Sequence, residues 1–331
     1  MKKILSIVLA LALMVTCFAG CAAESAKDDA PLQAGHINMY VLSGPTGIGA
    51  ASLIKAAKEG KTANTYTFTV AENNNDIVAA VSNGSADIAA VATNQASVLY
   101  NKTGGNVTVL AVNTASVLYM LTNGEEIAAV SDLKGKTIYT PGQGANPEYI
   151  LRYVLKGNNL DPDKDVTIQF VSDGNELPTV WAKDPNAVIM APQPVATVLP
   201  TKYENAKTVF NMGEEWSKIS QSSSLLMGCV IVNNKFLSEN PDAVKLFLSE
   251  YEASINSAKS NPQEAATICE ENKILPLKAA VIAKAIPNCG LTFITGAEMK
   301  NQLSGYLNIM FEANPASVGS KLPEESFYYI K

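Results

Sequence analysis

Residues 132–148, DLKGKTIYTPGQGANPE, contain the pattern that decides the fold of this chain. A short extended segment at 137–140 is followed by a turn that contains Gly142 and Gly144. Pro147 then stands at the start of an apolar periodic segment, which predicts a helix over 147–158. A strand, a glycine turn and a helix in this order form one α/β unit.

Similar units surround this one. Before it, the pattern predicts strands at 37–42, 65–70, 85–91 and 107–112 and helices at 48–58, 76–83 and 93–100. After it, strands are predicted at 166–170, 187–190 and 208–211, and a helix at 177–182. Two extended apolar segments, 117–122 and 229–233, enclose this second group. Helices alone are predicted beyond residue 233, at 240–259, 262–272, 277–286 and 297–311. The sequence therefore predicts an α/β fold in which a second α/β lobe is inserted into the first.

The first residues carry a targeting signal. Two lysines precede an apolar stretch, 4–15, that is too short to span a bilayer, and Phe18-Ala19-Gly20-Cys21 follows. The stretch resembles a bacterial lipoprotein signal, which predicts a signal peptide over 1–20 and a lipid on Cys21. An ordinary signal peptide cleaved at Ala19 or Ala23 is the alternative. Residues 21–35 are small and polar, which predicts a flexible tether.

Charge and hydropathy exclude some functions. The formal net charge is −6, and the chain has no lysine- or arginine-rich run of the kind that binds nucleic acid. No later apolar run approaches the roughly 20 residues of a transmembrane helix. We therefore expect a protein on the extracytoplasmic face of the cell membrane, anchored there by its lipid.

Groups for covalent or metal chemistry are scarce. His36 is the only histidine, and it is predicted to lie in the linker before the first predicted strand, where it would have to fold back to reach a site. Beyond Cys17 and Cys21, the cysteines are Cys229, Cys269 and Cys289, which lack metal-ligand spacing. Three buried thiols and a disulfide between the last two are both compatible with the sequence. We expect no catalytic residues, no metal and no cofactor.

Three motifs resemble a known family. They are 132–138 with 141–148 (DLKGKTI and PGQGANPE), 234–242 (NKFLSENPD) and 191–196 (APQPVA). Their order along the chain and their spacing are similar to those of segments in substrate-binding proteins of ABC transporters. APQPVA resembles a turn of the nitrate, sulfonate, taurine and thiamine-precursor branch, with Gln193 where that branch often has glutamate. The resemblance extends over residues 37–331.

The resemblance implies a two-lobed type II periplasmic-binding-protein fold. Each lobe would be a mostly parallel sheet flanked by helices, and two crossover strands would join the lobes. Lobe I would comprise residues 36–117 and 229–331, and lobe II residues 118–228. A small molecule would bind in the cleft between them, and hinge closure would enclose it. The implied partners are an ABC permease with its ATPase, and the protein is expected to be a monomer.

Candidate ligand contacts follow the predicted strands, because ligands of open α/β sheets bind beyond the carboxyl ends of the strands. Hydroxyls, amides and glycines stand at these ends, some of them where a helix begins and its N–H groups are free. The candidates are Ser43, Thr46, Gly47, Thr93, Asn94, Asn113, Thr114, Gln143, Gly144, Ala145, Asn146, Gln193 and Trp216.

Several of these positions have a second interpretation. Thr93 is also a helix-capping residue type, and Gly44-Pro45 is also typical of a turn. Gly142 and Gly144 favour close backbone approach to a ligand. Trp216 fits either the cleft or the core. Arg152, the only arginine, lies either on a solvated helix face or within reach of a ligand carboxylate.

Because the chain has a single arginine, we expect hydroxyls, amides and backbone donors to recognise the ligand. Such groups suit an oxyanion or sulfonate at helix ends, or a heteroaromatic vitamin precursor stacked on Tyr40, Tyr119 or Trp216. The resemblance and the lipoprotein signal together imply a solute-binding lipoprotein of an ABC importer. A ligand-sensing or TRAP-type binding subunit is an alternative. A pyrimidine-forming enzyme of related fold is another, although such enzymes use a cysteine-rich motif and a reactive histidine.

Overall fold

The computed structural model describes residues 31–330, which form two β-sheets with helices on their faces. The predicted signal peptide and Cys21 lie outside the described residues, as does most of the predicted tether. The strands are, in chain order, β1 His36–Leu42, β2 Thr65–Ala71, β3 Ile88–Ala92, β4 Val107–Thr114, β5 Leu118–Asn123, β6 Thr137–Pro141, β7 Thr167–Val171, β8 Val188–Pro192, β9 Ala206–Asn211, β10 Gly228–Asn233 and β11 Leu291–Ile294.

The α-helices connect these strands. They are α1 Pro45–Ile48, α2 Ala51–Lys58, α3 Asn74–Ser82, α4 Thr93–Lys102, α5 Asn146–Gly157, α6 Val180–Lys183, α7 Val195–Lys202, α8 Met212–Ile219, α9 Asn234–Glu239, α10 Pro241–Ser260, α11 Pro262–Glu271, α12 Ala279–Ala285 and α13 Gly296–Ala313. Short 3₁₀ turns lie at Val130–Leu133, Leu177–Thr179, Ile286–Asn288, Pro315–Val318 and Glu325–Phe327. None of the helices in residues 31–330 combines the length and the apolar character needed to cross a bilayer.

The first sheet has six strands in the order β11-β4-β10-β3-β1-β2. β1 pairs in parallel with β2 and β3, whereas β10 runs antiparallel between β3 and β4. Alternate residues of β10 enter opposite cores, with Cys229 and Ile231 on one face and Val230 and Val232 on the other. Both faces are covered, which explains why all of β4 is buried.

The second sheet has five strands in the order β7-β6-β8-β5-β9. β6 is parallel to β7 and β8, and β5 is antiparallel to β8 and β9. The expected mostly parallel α/β sheets are confirmed, with the predicted crossover segments placed as antiparallel strands inside each sheet. We call the residues around the first sheet the first part and those around the second sheet the second part.

One hydrophobic cluster extends through both parts. It contains Ile231 of the first sheet and Ile138 of the second, and Trp216 on α8 and Tyr306 on α13 belong to it as well. The rings of Trp216 and Tyr306 are 5.7 Å apart. The two parts therefore share buried apolar surface near the places where the chain crosses between them.

Register brings the carboxyl ends of the strands to these crossings. Gly228, where the chain re-enters the first sheet, is paired with Ala92 at the end of β3 and with Thr114 at the end of β4. In the second sheet, Leu118 at the start of β5 is paired with Pro192 at the end of β8. The carboxyl edges of both sheets thus face the crossings.

Three local predictions were wrong in detail, and two helices were not predicted. The helix predicted at 48–58 is two helices, α1 and α2, which are separated by Gly49 and Ala50. A Cβ at Gly49 would lie 2.9 Å from the Tyr251 hydroxyl, so the chain passes close to that ring. The helix predicted at 177–182 is a 3₁₀ turn followed by α6. No helix was predicted where α7 and α8 lie. Finally, β11 interrupts the predicted helical region because it pairs with the edge of β4.

Candidate functional site

The loop after β1 is held to the rest of the first part by its backbone and by Ser43. The Ser43 N–H donates to the Ala71 carbonyl at 2.8 Å, and its hydroxyl donates to the Ile274 carbonyl at 3.0 Å. Thr46 and Gly47 follow in α1 and are buried. A Cβ at Gly47 would lie 2.4 Å from the Leu42 carbonyl oxygen, so glycine is required there by packing within the chain.

Asn113 joins this loop to β4. Its Nδ2 donates to the Thr46 carbonyl at 3.0 Å and to the Tyr251 hydroxyl at 2.8 Å. The Thr114 hydroxyl donates to the Asn113 Oδ1 at 3.0 Å. Both side chains are buried. Thr46, Asn113 and Thr114 therefore meet at the ends of β1 and β4, where the Asn113 amide is already bonded to the other two residues and to Tyr251 of α10.

Thr93 and Asn94 begin α4 directly after β3. The Thr93 hydroxyl does not cap its helix, and instead donates to the Leu226 carbonyl at 2.7 Å. The Thr93 N–H donates to the Met227 carbonyl. Asn94 donates to the Ser317 carbonyl at 3.1 Å. Thr93 therefore fixes the returning crossing, residues 212–227, against the first sheet, whereas Asn94 holds the 3₁₀ turn Pro315–Val318.

The glycine turn after β6 is the corresponding feature of the second part. Gly142 and Gly144 both have positive φ, +87° and +68°, in the region that favours glycine. Gln143, Gly144 and Ala145 are exposed, whereas Asn146, the first residue of α5, is buried. The Asn146 Oδ1 is buried and has no hydrogen-bond partner among residues 31–330.

Two side chains of α5 hold the Gly144 peptide groups. Glu148 Oε2 accepts a hydrogen bond from the Gly144 N–H at 2.8 Å, and the Tyr149 hydroxyl donates to the Gly144 carbonyl at 3.2 Å. The N–H that was predicted to face a ligand is thus occupied by the chain itself. Glu148 and Tyr149 were not among the predicted site residues, because a carboxylate or phenol near a glycine turn has no distinctive sequence signal.

Arg152 lies one turn further along α5. Its Nε donates to Glu148 Oε1 at 2.8 Å, and its Nη1 donates to Asp163 Oδ1 at 2.7 Å. Hydrogen bonding to Asp163 and Glu148 raises the pKa of the guanidinium, although partial burial opposes the shift. Neither sequence interpretation of Arg152 describes this arrangement, in which it supports the carboxylate that binds the glycine turn.

Gln193 and Trp216 both have their polar groups bonded within the chain. The Gln193 N–H donates to the Val117 carbonyl at 2.8 Å, and its Oε1 accepts from the Thr197 hydroxyl at 2.7 Å. Trp216 has no exposed surface, its indole N–H donates to the Ser223 carbonyl at 3.0 Å, and its ring lies 4.4 Å from that of Tyr153. This geometry gives Trp216 a packing role, so our proposal for ligand contact rests on the other residues.

Hydrogen bonds and helix contacts connect the two parts on both flanks. On one flank, Asn314 after α13 donates to the Tyr149 hydroxyl at 2.7 Å, and α13 packs against α5. On the other, α12 packs against α7. There a hollow of about 260 Å³ is lined by Gly174, Pro194 and Val198 of the second part and by residues 275–277 of the first.

Basic residues are missing from the loops at the carboxyl ends of the strands. These loops, 43–44, 72–73, 115–117, 142–145, 172–176 and 193–194, contain no lysine or arginine, and they carry Glu72, Asp173 and Glu176. Within residues 31–330, no group of three histidine, cysteine or acidic side chains is placed to hold a metal ion. Cys229, Cys269 and Cys289 are free thiols, and burial raises the pKa of each one.

Solved structures of similar fold place this architecture in a class. An ABC transporter protein from Parabacteroides distasonis superposes with a TM-score of 0.75 at 19% identity, covering 89% of this chain and 99% of that chain. The aliphatic sulphonate binding protein SsuA from Escherichia coli gives 0.69 at 13%, covering 91% and 92%. The alkanesulfonate-binding protein SsuA from Xanthomonas axonopodis pv. citri gives 0.61 at 13%, covering 90% and 98%. At these identities the likeness shows a shared fold, which is the periplasmic-binding-protein fold.

The sequence identifies the family within that fold. The NMT1/THI5-like family matches residues 67–265, which is more than half of the chain. The chain belongs to the NMT1/THI5-like family. A search of curated proteins found no match. The family match and the solved structures confirm the predicted relationship to substrate-binding proteins of ABC transporters.

Proposed function

We propose that this protein is the solute-binding lipoprotein of an ABC importer, which captures a small molecule between its two parts and delivers it to a permease. The observation that carries the proposal is the convergence of the carboxyl edges of both sheets, rich in hydroxyls and amides, at the crossings between the parts. Ligands of open α/β sheets bind at such edges. Similar folds named as sulfonate-binding and ABC transporter proteins support the same role.

In this proposal the lobes are residues 36–117 with 229–331, and 118–228. Segments 115–117 and 212–227 connect them and would act as the hinge. Ser43 and Gln143 to Asn146 would contact the ligand from opposite sides. Binding would proceed without chemical conversion, so the same molecule would be recovered after release.

Binding can be measured directly. Isothermal titration calorimetry of the purified protein against sulfonates, oxyanions, amino acids, pyrimidines and vitamin precursors should identify a solute that binds with one site per chain. At 100 times its dissociation constant, such a solute adds about 2.7 kcal/mol of stability, which raises the melting temperature. Small-angle scattering should then show a smaller radius of gyration. Recovery of an altered solute would contradict a purely binding function.

Lipid anchoring needs a separate experiment, because Cys21 lies outside the described residues. Cells that express the full chain would be labelled with an alkyne-bearing fatty acid, and the protein would be isolated from the membrane fraction. We expect label on the wild type and none on Cys21→Ala. Equal labelling, or wild-type protein released entirely into the medium, would argue for the ordinary signal peptide.

A further inference from the structure

The first turn of α5 carries a negatively charged side chain, the carboxylate of Glu148. The start of a twelve-residue helix attracts negative charge, because its N–H groups are unpaired and its dipole is positive there. Glu148 occupies this position and accepts the hydrogen bond of the Gly144 N–H at 2.8 Å. Its side chain is only 14% exposed. A negatively charged ligand group at the glycine turn would have to displace this carboxylate or lie beside it.

The surrounding charges hold Glu148 in place without producing a positive site. Arg152 binds Glu148 with one guanidinium N–H and Asp163 with another. One cation therefore faces two carboxylates. The loops at the strand ends add no lysine or arginine to this balance, and they contribute further carboxylates such as Asp173.

Asn146 is a second and independent observation at the same turn. Its Oδ1 is buried, with the residue 6% exposed, and it lacks a hydrogen-bond partner among the described residues. An unpaired buried carbonyl oxygen is costly, at about 1–3 kcal/mol, and it requires a donor. A sulfonate or carboxylate offers acceptors only, whereas an amide, amine, hydroxyl or protonated ring nitrogen offers the missing donor.

We propose that Glu148 determines the charge specificity of the cleft, so that the solute is a neutral or positively charged molecule with N–H or O–H donors. Arg152 is a positioning residue that acts through Glu148. This inference rests on the proposed solute-binding function and names the class of solute. It separates this chain from similar folds that are named for sulfonates.

Methanesulfonate is a suitable small probe of the anion position. Calorimetric titrations at constant ionic strength would compare wild type with Glu148→Gln, which keeps the shape and the acceptor for the Gly144 N–H but removes the charge. Glu126→Gln is the control, because it removes one carboxylate from the second part at an exposed position paired with Lys207. Circular dichroism would establish that all three proteins are folded. We expect methanesulfonate to bind Glu148→Gln at least about tenfold more tightly than the other two.

A solute screen completes the test. Panels of sulfonates and carboxylates, of neutral amides, alcohols and nitrogen heterocycles, and of amines and amidines would be titrated against wild type. We expect ligands from the second or third panel, and a cationic ligand should lose about tenfold in affinity in Glu148→Gln. Tight binding of a sulfonate or carboxylate to wild type would overturn the charge assignment and leave solute binding intact. No ligand in any panel would overturn the proposed function together with this inference. Equal methanesulfonate affinity in all three proteins would overturn the role of Glu148.

Discussion

Replacing Gly142 with alanine tests why the turn before α5 contains two glycines. At Gly142 an added methyl group meets two obstacles. Its φ of +87° is unfavourable for any residue with a Cβ, at a cost of about 1–2 kcal/mol. The Cβ would also lie 2.8 Å from Cγ and 3.0 Å from Cδ of Pro147, and overpacking of this kind costs about 1–3 kcal/mol. We expect Gly142→Ala to lower the free energy of unfolding by about 2–5 kcal/mol.

Gly144→Ala is the matched control. Its φ of +68° brings the same backbone penalty, but no atom lies within 4 Å of the added Cβ. The expected loss is therefore about 1–2 kcal/mol. The difference between the two variants isolates the contact with Pro147. Urea titrations followed by far-ultraviolet circular dichroism would measure both values, with the slope of the transition compared to ensure that the same surface unfolds.

Equal losses in the two variants would refute the packing argument, because both share the backbone penalty. A neutral Gly142→Ala would refute the assigned turn geometry as well. A second explanation of these glycines is close approach of a ligand, and measurements of solute affinity test it. If they serve close approach of a ligand, Gly144→Ala should weaken binding by far more than its small loss of stability accounts for.

The remaining predictions concern buried polar groups, the buried thiols and the hydrogen bond between the two parts. Asn113→Ala should cost about 2–4 kcal/mol in the same titration, because several buried groups lose their partner; a loss below about 0.5 kcal/mol would contradict this. Trp216→Phe should cost about 1–3 kcal/mol through the lost indole hydrogen bond and volume, and an unchanged urea midpoint would contradict that packing role. Burial raises the pKa of Cys269 and Cys289 to about 12, so a thiol reagent at pH 8 should label them much faster in urea than in the folded chain. Unfolded thiols ionise near pH ~8.5, so the unfolded state loses protons first and stability should fall between about pH 9 and 12; a constant stability there would count against this. Tyr149→Phe should increase the radius of gyration of the solute-free protein, since it removes a hydroxyl that joins the two parts; identical scattering curves would contradict that link.

The sequence predicted the architecture well where the signal was local. Strands such as β1 and β6 are short apolar runs bounded by turns, and the glycines before α5 mark the strand-to-helix turn correctly. The predictions were poorer where structure depends on a distant partner. β11 has only four residues, and it becomes a strand because β4 offers an edge for pairing.

The candidate site shows the same division. Position at a strand end can be predicted from local pattern, and Thr93 and Asn113 do lie at such ends. Their hydrogen-bond partners cannot be predicted in this way. The Thr93 hydroxyl bonds Leu226, 133 residues later, and Asn113 bonds Tyr251, 138 residues later. Ligand contact by the candidate residues stays a prediction.

The pairing of β4 with β10 has a consequence for how the chain tolerates change. Thr114 of β4 and Gly228 of β10 lie opposite each other on neighbouring antiparallel strands. Within the first sheet, the residues between them therefore form the loop of a β-hairpin. The entropy of closing a loop grows only slowly with its length, by about 0.6 kcal/mol for each doubling. The first sheet therefore imposes little limit on the size of the segment that it carries. That segment is a natural place for exchange between relatives, and a natural place to graft a reporter domain whose own ends lie close together.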